Sequence, residues 1–198
     1  TLRKVLVKER RLSVFRTWRL ALQVLAALSE AHELGVIHRD LKPENMMIWQ
    51  PQGLEEHLKL IDYGLAKSSD GLSSTSTGRV RGTPQYMAPE VAEGGAATKA
   101  SDIYALGVVM YECLAGVRPF DASEPLAVLF QQVNKEPEPL RDIVPIPEGM
   151  AEVVHKALSK DPEERFSGAP EFMDALRELC FIDLRACRSA SFEPSPVD

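Results

Sequence analysis

Cysteine is scarce in this sequence. Cys113, Cys180 and Cys187 are the only three among 198 residues, and no two of them stand at a metal-ligand spacing. An odd, unspaced set points away from a disulfide framework and towards reduced thiols in a cytoplasmic protein; Cys113, inside an apolar run, reads as a core residue. A long apolar run is also missing. The richest stretch, Leu20 to Leu28, is too short to cross a bilayer and carries Gln23 within it, so neither a transmembrane segment nor a signal peptide is expected in this chain. There is no basic excess either: the net charge is -6, which implies no general affinity for nucleic acid or an anionic membrane. The first nineteen residues are locally basic and read as a solvated or partner-facing patch. No internal repeat is visible.

What the chain does contain is helical patterning, and enough apolar residues, 44%, for a sizeable core. Residues 13 to 34 put Leu20, Val24, Ala27, Leu28, Ala31 and Leu34 on one helical face, with Gly35 as a C-cap signal. Asp102 to Leu114 is apolar nearly all round, which predicts a buried helix, with Thr98 or Ser101 to cap it and Asp102 suited to its positive end. Three more apolar faces follow: Leu126, Leu129, Phe130 and Val133; then Val153, Val154, Ala157 and Leu158; then Phe172, Leu176 and Leu179. Pro137 to Pro147 reads as a connector. Val36-Ile37, Met46 to Trp49 and Leu58 to Ile61 are too brief for helices and predict short strands around polar loops. Residues 65 to 83 have neither period and read as a long functional loop, while the tail beyond Arg188 has the composition of a disordered segment.

The chemistry is concentrated between residues 38 and 64. His38-Arg39-Asp40-Leu41-Lys42-Pro43-Glu44-Asn45 is followed by a short apolar stretch and by Asp62-Tyr63-Gly64. Two carboxylates, an amide and a lysine around one turn and one hairpin suit phosphoryl transfer. One carboxylate can orient an attacking hydroxyl, and a carboxylate with an amide can hold magnesium beside a phosphate. With Ala88-Pro89-Glu90 further on, these motifs, in this order and at these intervals, resemble a eukaryotic-type serine/threonine protein kinase. Tyr63 stands where that family usually has Phe. The strings around Ser101 to Gly107 and Lys160 to Phe166 have the flavour of the bacterial eukaryotic-like kinases.

The resemblance implies a role for each matching residue. Asp40 would accept the hydroxyl hydrogen bond, Lys42 would contact the moving phosphate, and Asn45 and Asp62 would hold Mg2+. Lys42, Glu44, Asn45, Met47 and Asp62 would together contact ATP, with Met47 under the adenine. Thr83 would shape the substrate pocket by bonding the catalytic Asp and Lys, Asp102 would brace the catalytic loop, and Glu90 and Arg165 would form a buried ion pair. His38 and Tyr63 match two stacked residues of the regulatory spine. Arg39 would bind a phosphate on the activation loop, for which Thr75 and Thr77, phosphorylated by a second kinase copy, are the candidates. His32, His57 and His155 match nothing in the family and read as surface or packing residues.

The resemblance runs from about residue 12 to 180 and covers only the large, C-terminal lobe of the family. A kinase also needs a glycine-rich loop and a strand lysine paired with a helix glutamate, and neither motif occurs in this sequence. The expectation is therefore a mainly α, kinase-like large lobe over residues 1 to 180, with a small β-hairpin region carrying the catalytic and magnesium loops, and a C-terminal tail over 181 to 198. Its expected activity is transfer of the ATP γ-phosphoryl group to protein hydroxyls, in partnership with an N-terminal lobe in cis; the chain alone is expected to be inactive. A non-catalytic interaction module and a metal-dependent phosphohydrolase built on Asp40 and Asp62 are the competing readings, the latter leaving Lys42 and Thr83 without a role.

Overall fold

The computed structural model describes residues 1–52, 55–64 and 83–179. Ten elements of regular structure follow α1(Leu2–Glu9), α2(Val14–Glu33), β1(Met46–Trp49), β2(His57–Leu60), α3(Pro89–Ala92), α4(Lys99–Ala115), α5(Pro125–Asn134), α6(Leu140–Ile143), α7(Glu148–Ala157) and α8(Ala169–Glu178). The strands form one antiparallel pair, in a register that sets Met46 opposite Leu60 and Trp49 opposite His57. The described chain is thus mainly helical with a single small hairpin.

Helix α4 is the axis of the core. Every residue from Ser101 to Leu114 is buried, as the all-round apolar pattern requires. Its start is fixed by Thr98, whose N–H donates to Ser101 Oγ at 2.9 Å while that hydroxyl donates back to the Thr98 carbonyl at 2.7 Å. Gly116, at φ 77°, ends it in the left-handed conformation that glycine adopts without a Cβ penalty. Gly107 serves a different need: a Cβ there would come within 3.0 Å of the Ala157 Cβ, so its absence lets α4 and α7 approach closely. Helix α2 packs against α4 and α8, and Trp18 Nε1 donates to the Leu176 carbonyl at 2.7 Å.

Three local expectations need correction. Val36-Ile37 is not a strand, because after Gly35 turns left-handed (φ 73°) the Val36 N–H returns to the Ala31 carbonyl at 2.8 Å and closes helix α2. Leu34, at the end of that helix, is exposed. On α5 the inward line is Val128 and Gln132, not Leu126 and Phe130, which face out. Gln132 turns inward because its buried amide serves three partners, donating to the Pro84 and Gln85 carbonyls and accepting from the Tyr104 hydroxyl. Within the basic start of the chain Arg16 pairs with Glu9 and Glu56 at 2.6 and 2.7 Å and Arg19 with Glu55 at 3.0 Å, while Lys4, Lys8 and Arg10 are exposed.

His155 is a packing residue with a charge consequence. Its Nε2 accepts the Leu140 N–H at 3.1 Å, and its ring meets Tyr111 edge-on. Burial lowers its pKa from 6.5, with Glu136 opposing in part. A folded-state pKa below the unfolded one means that the unfolded chain binds more protons. The contribution is therefore complete above pH 6.5 and is lost as pH falls from there towards the folded value. Wild type should lose Tm faster than His155→Gln between neutral pH and about pH 5. Parallel curves for the two proteins would contradict this.

Candidate active site

The backbone of His38 and Arg39 hangs from α4. The buried Asp102 carboxylate accepts the His38 N–H at 2.8 Å and the Arg39 N–H at 3.0 Å, and His32 Nε2 lies 2.9 Å from its Oδ2. Arg39 has φ 66°, an uncommon conformation for a residue with a Cβ. The two N–H bonds to Asp102 fix the backbone that leads into this residue, and Asp40 follows it. Like Arg10 at φ 63° away from this loop, Asp62, at φ 57°, is another such position. Its loop is tied to the first by Gly64 N–H to the His38 carbonyl at 2.9 Å, and by Ile61 N–H to the Asn45 carbonyl at 3.0 Å. The His38 and Tyr63 rings lie 4.6 Å apart across this junction.

Around Asp40 the side chains converge. Lys42 Nζ stands 3.0 Å from Asp40 Oδ2 and donates to Thr83 Oγ1, also at 3.0 Å. The buried Asn45 amide nitrogen donates to the Asp40 carbonyl at 2.8 Å and to its carboxylate at 3.3 Å. That assigns the NH2 to Asp40 and leaves Asn45 Oδ1 as the amide atom that could ligate a cation. Asp62 is exposed. An amide oxygen and a carboxylate are hard donors suited to Mg2+, which is commonly held by one or two protein ligands together with substrate phosphates. Among the described residues no three His, Cys, Asp or Glu side chains form a metal-binding group of their own. Met47 on β1 is exposed, and Trp49 is more so. Arg39 is exposed; Thr75 and Thr77 lie outside the described residues. A cleft of about 620 Å3 lies elsewhere, lined by the Arg16, Arg19, Glu55 and Glu56 pairs, and contributes none of these groups.

Glu90 and Arg165 meet as a two-pronged pair, Nη1 to Oε1 at 2.9 Å and Nη2 to Oε2 at 2.8 Å. Arg165 also donates to the carbonyls of Ser159, Ala100 and Lys160, and stacks over the Tyr104 ring.

Sequence reasoning missed the supports. His32 is buried against Asp102; its place on the α2 face, four residues after Leu28, was the available signal. Arg3 bonds Glu44, Glu112 and the Tyr86 hydroxyl, and nothing in the local pattern marks it. Burial and then Glu112 push the Tyr86 phenol up, so it remains a donor, and it bonds Glu112 Oε2 at 2.7 Å.

A helical body with a hairpin thus presents Asp40, Lys42, Asn45 and Asp62 from two linked loops. The protein kinase domain family matches residues 1–179, and the chain belongs to that family. It is 38% identical over 185 residues to the serine/threonine-protein kinase pkn3 of Myxococcus xanthus, covering 90% of this chain and 34% of that protein. To the serine/threonine-protein kinase PknA of Mycobacterium tuberculosis it is 39% identical over 175 residues, 88% of this chain and 39% of that protein. A probable serine/threonine-protein kinase of Streptomyces coelicolor is 36% identical over 190 residues, 94% and 26% of the two chains. The chain thus spans 26 to 39% of the length of these relatives. Among the described residues no helix is long and apolar enough to cross a membrane.

Proposed function

We propose that this chain is the large lobe of a serine/threonine protein kinase and that residues 38 to 64 carry its chemistry. The observation that carries the reading is the convergence of Lys42 on both Asp40 and Thr83, with Asn45 bonded to the same aspartate. Asp40 would accept the hydrogen bond of an incoming serine or threonine hydroxyl and take its proton as the new P–O bond forms. Lys42, held between Asp40 and Thr83, would balance charge on the phosphoryl group in transit. Asn45 Oδ1 and Asp62 would hold Mg2+, which when bound neutralises the charge of the ATP phosphates. Met47 would form the floor under adenine, and the surface around Met47, Trp49 and Tyr63 is where a small lobe carrying the glycine-rich loop and its lysine would sit. Arg39 would receive the phosphate of a modified activation loop.

A phosphohydrolase would give the Lys42–Thr83 bond no task, whereas a kinase uses it to align a protein hydroxyl. The test is Asp62→Asn in the kinase that carries this lobe. The magnesium concentration giving half-maximal transfer should rise at least ~10-fold, the loss that follows removal of even an outer partner of a metal site. An unchanged magnesium dependence would count against the assignment.

A further inference from the structure

Lys42 and Thr83 come from segments 41 residues apart, and their 3.0 Å contact requires both segments to be fixed. On one side Lys42 leads into the Pro43–Asn45 turn, with Glu44 at its centre. On the other, Thr83 leads into the Pro84–Tyr86 turn, which ends on the buried Tyr86. One side chain spans both turns. Arg3 Nε donates to Glu44 Oε1 at 2.7 Å, Nη1 donates to Glu112 Oε1 at 2.8 Å, and Nη2 donates to the Tyr86 hydroxyl, which itself bonds Glu112. Glu112 is buried on α4, so the clamp is anchored to the same helix whose Asp102 holds the His38–Arg39 backbone. Without Arg3 the Glu112 carboxylate would keep only a neutral hydroxyl partner, and the Glu44 turn would lose its tie to the Tyr86 turn.

We infer that Arg3, outside every motif of the catalytic region, is a positioning residue for phosphoryl transfer: through Glu44, Tyr86 and Glu112 it sets the gap across which Lys42 meets Thr83. The inference rests on the kinase reading above. A planar guanidinium with five donors in a fixed fork can serve three acceptors in one plane, and an ammonium on a flexible stem cannot. Arginine is therefore required here for its shape as well as its charge.

The experiment compares wild type, Arg3→Ala, Arg3→Lys and Tyr86→Phe in the intact kinase. It measures kcat, KM for ATP, Tm, and amide exchange at Glu44–Asn45 and Tyr86–Met87. Because displacement of about 1 Å at a reacting centre can cost ~100-fold, kcat should fall about 10- to 100-fold in Arg3→Ala and Arg3→Lys, and less in Tyr86→Phe, with KM for ATP within about twofold of wild type. Exchange should quicken at both turns together. A purely structural role would lower Tm yet leave kcat of the folded fraction unchanged, and that result overturns the inference. So does Arg3→Lys with wild-type kcat. If Arg3→Ala does not fold, Arg3→Lys and Tyr86→Phe decide on the same criteria. Wild-type protein without transfer activity would instead refute the kinase reading; exchange that stays unchanged at either turn in Arg3→Lys would still refute the clamp.

Discussion

Asp40→Asn should reduce phosphoryl transfer about 10^2- to 10^4-fold, the span over which a positioned general base acts, while Tm moves little. The side chain is partly exposed, and asparagine keeps its shape, so the Asn45 bond to the residue 40 carbonyl is retained. What is lost is the charge that faces Lys42 Nζ at 3.0 Å and would draw the proton of the incoming hydroxyl. Nucleotide affinity should survive, because Asp40 is not among the proposed metal ligands. Turnover is read by labelled phosphate transfer to a protein substrate and binding by titration with a nucleotide. Wild-type turnover in this variant would remove Asp40 from the mechanism.

Arg165→Ala carries the other large effect, on stability. The Arg165 side chain is fully buried, and its loss leaves the Glu90 carboxylate without its cation and three carbonyls without their donor. Breaking a buried pair from one side costs about 3 to 5 kcal/mol, which in a chain of this size corresponds to a fall in Tm of about 10 °C. Arg165→Lys should recover part of this, since one ammonium can meet some of the acceptors but cannot reproduce the fork. A melt within a degree of wild type for the alanine variant would show that the pair is not coupled to the fold.

The contrast between these residues shows what a sequence of this kind discloses. Helix α4 was legible because burial on all sides leaves an unbroken apolar run, and α2 because its face recurs at helical spacing. Strand β1 was legible because Pro43 and Pro51 delimit it. Helix α1 was not, since only Leu2 and Leu6 of its eight residues are buried and its basic residues suggested a solvated surface. The α5 face was misread because Gln132 goes inward for its hydrogen bonds, a demand set by the distant Pro84 and Gln85 carbonyls. At the site, the residues that meet Asp40 are close together in sequence or belong to compact motifs, so they could be read. Arg3, His32 and Glu112 act through the fold, each partnered across 40 residues or more, and no local pattern encodes such a pairing.

Asp102 gives the site a thermodynamic meaning beyond bracing. A buried carboxylate shared by two loop amides and a histidine belongs equally to the core helix and to the loop, so neither can be loosened without disturbing the other. Linkage then runs in both directions. Whatever fastens onto the loop residues and favours their arrangement is felt along α4 as resistance to unfolding, and whatever melts α4 takes the arrangement of Asp40 with it. The fold has no stage at which α4 is lost and the arrangement around Asp40 remains.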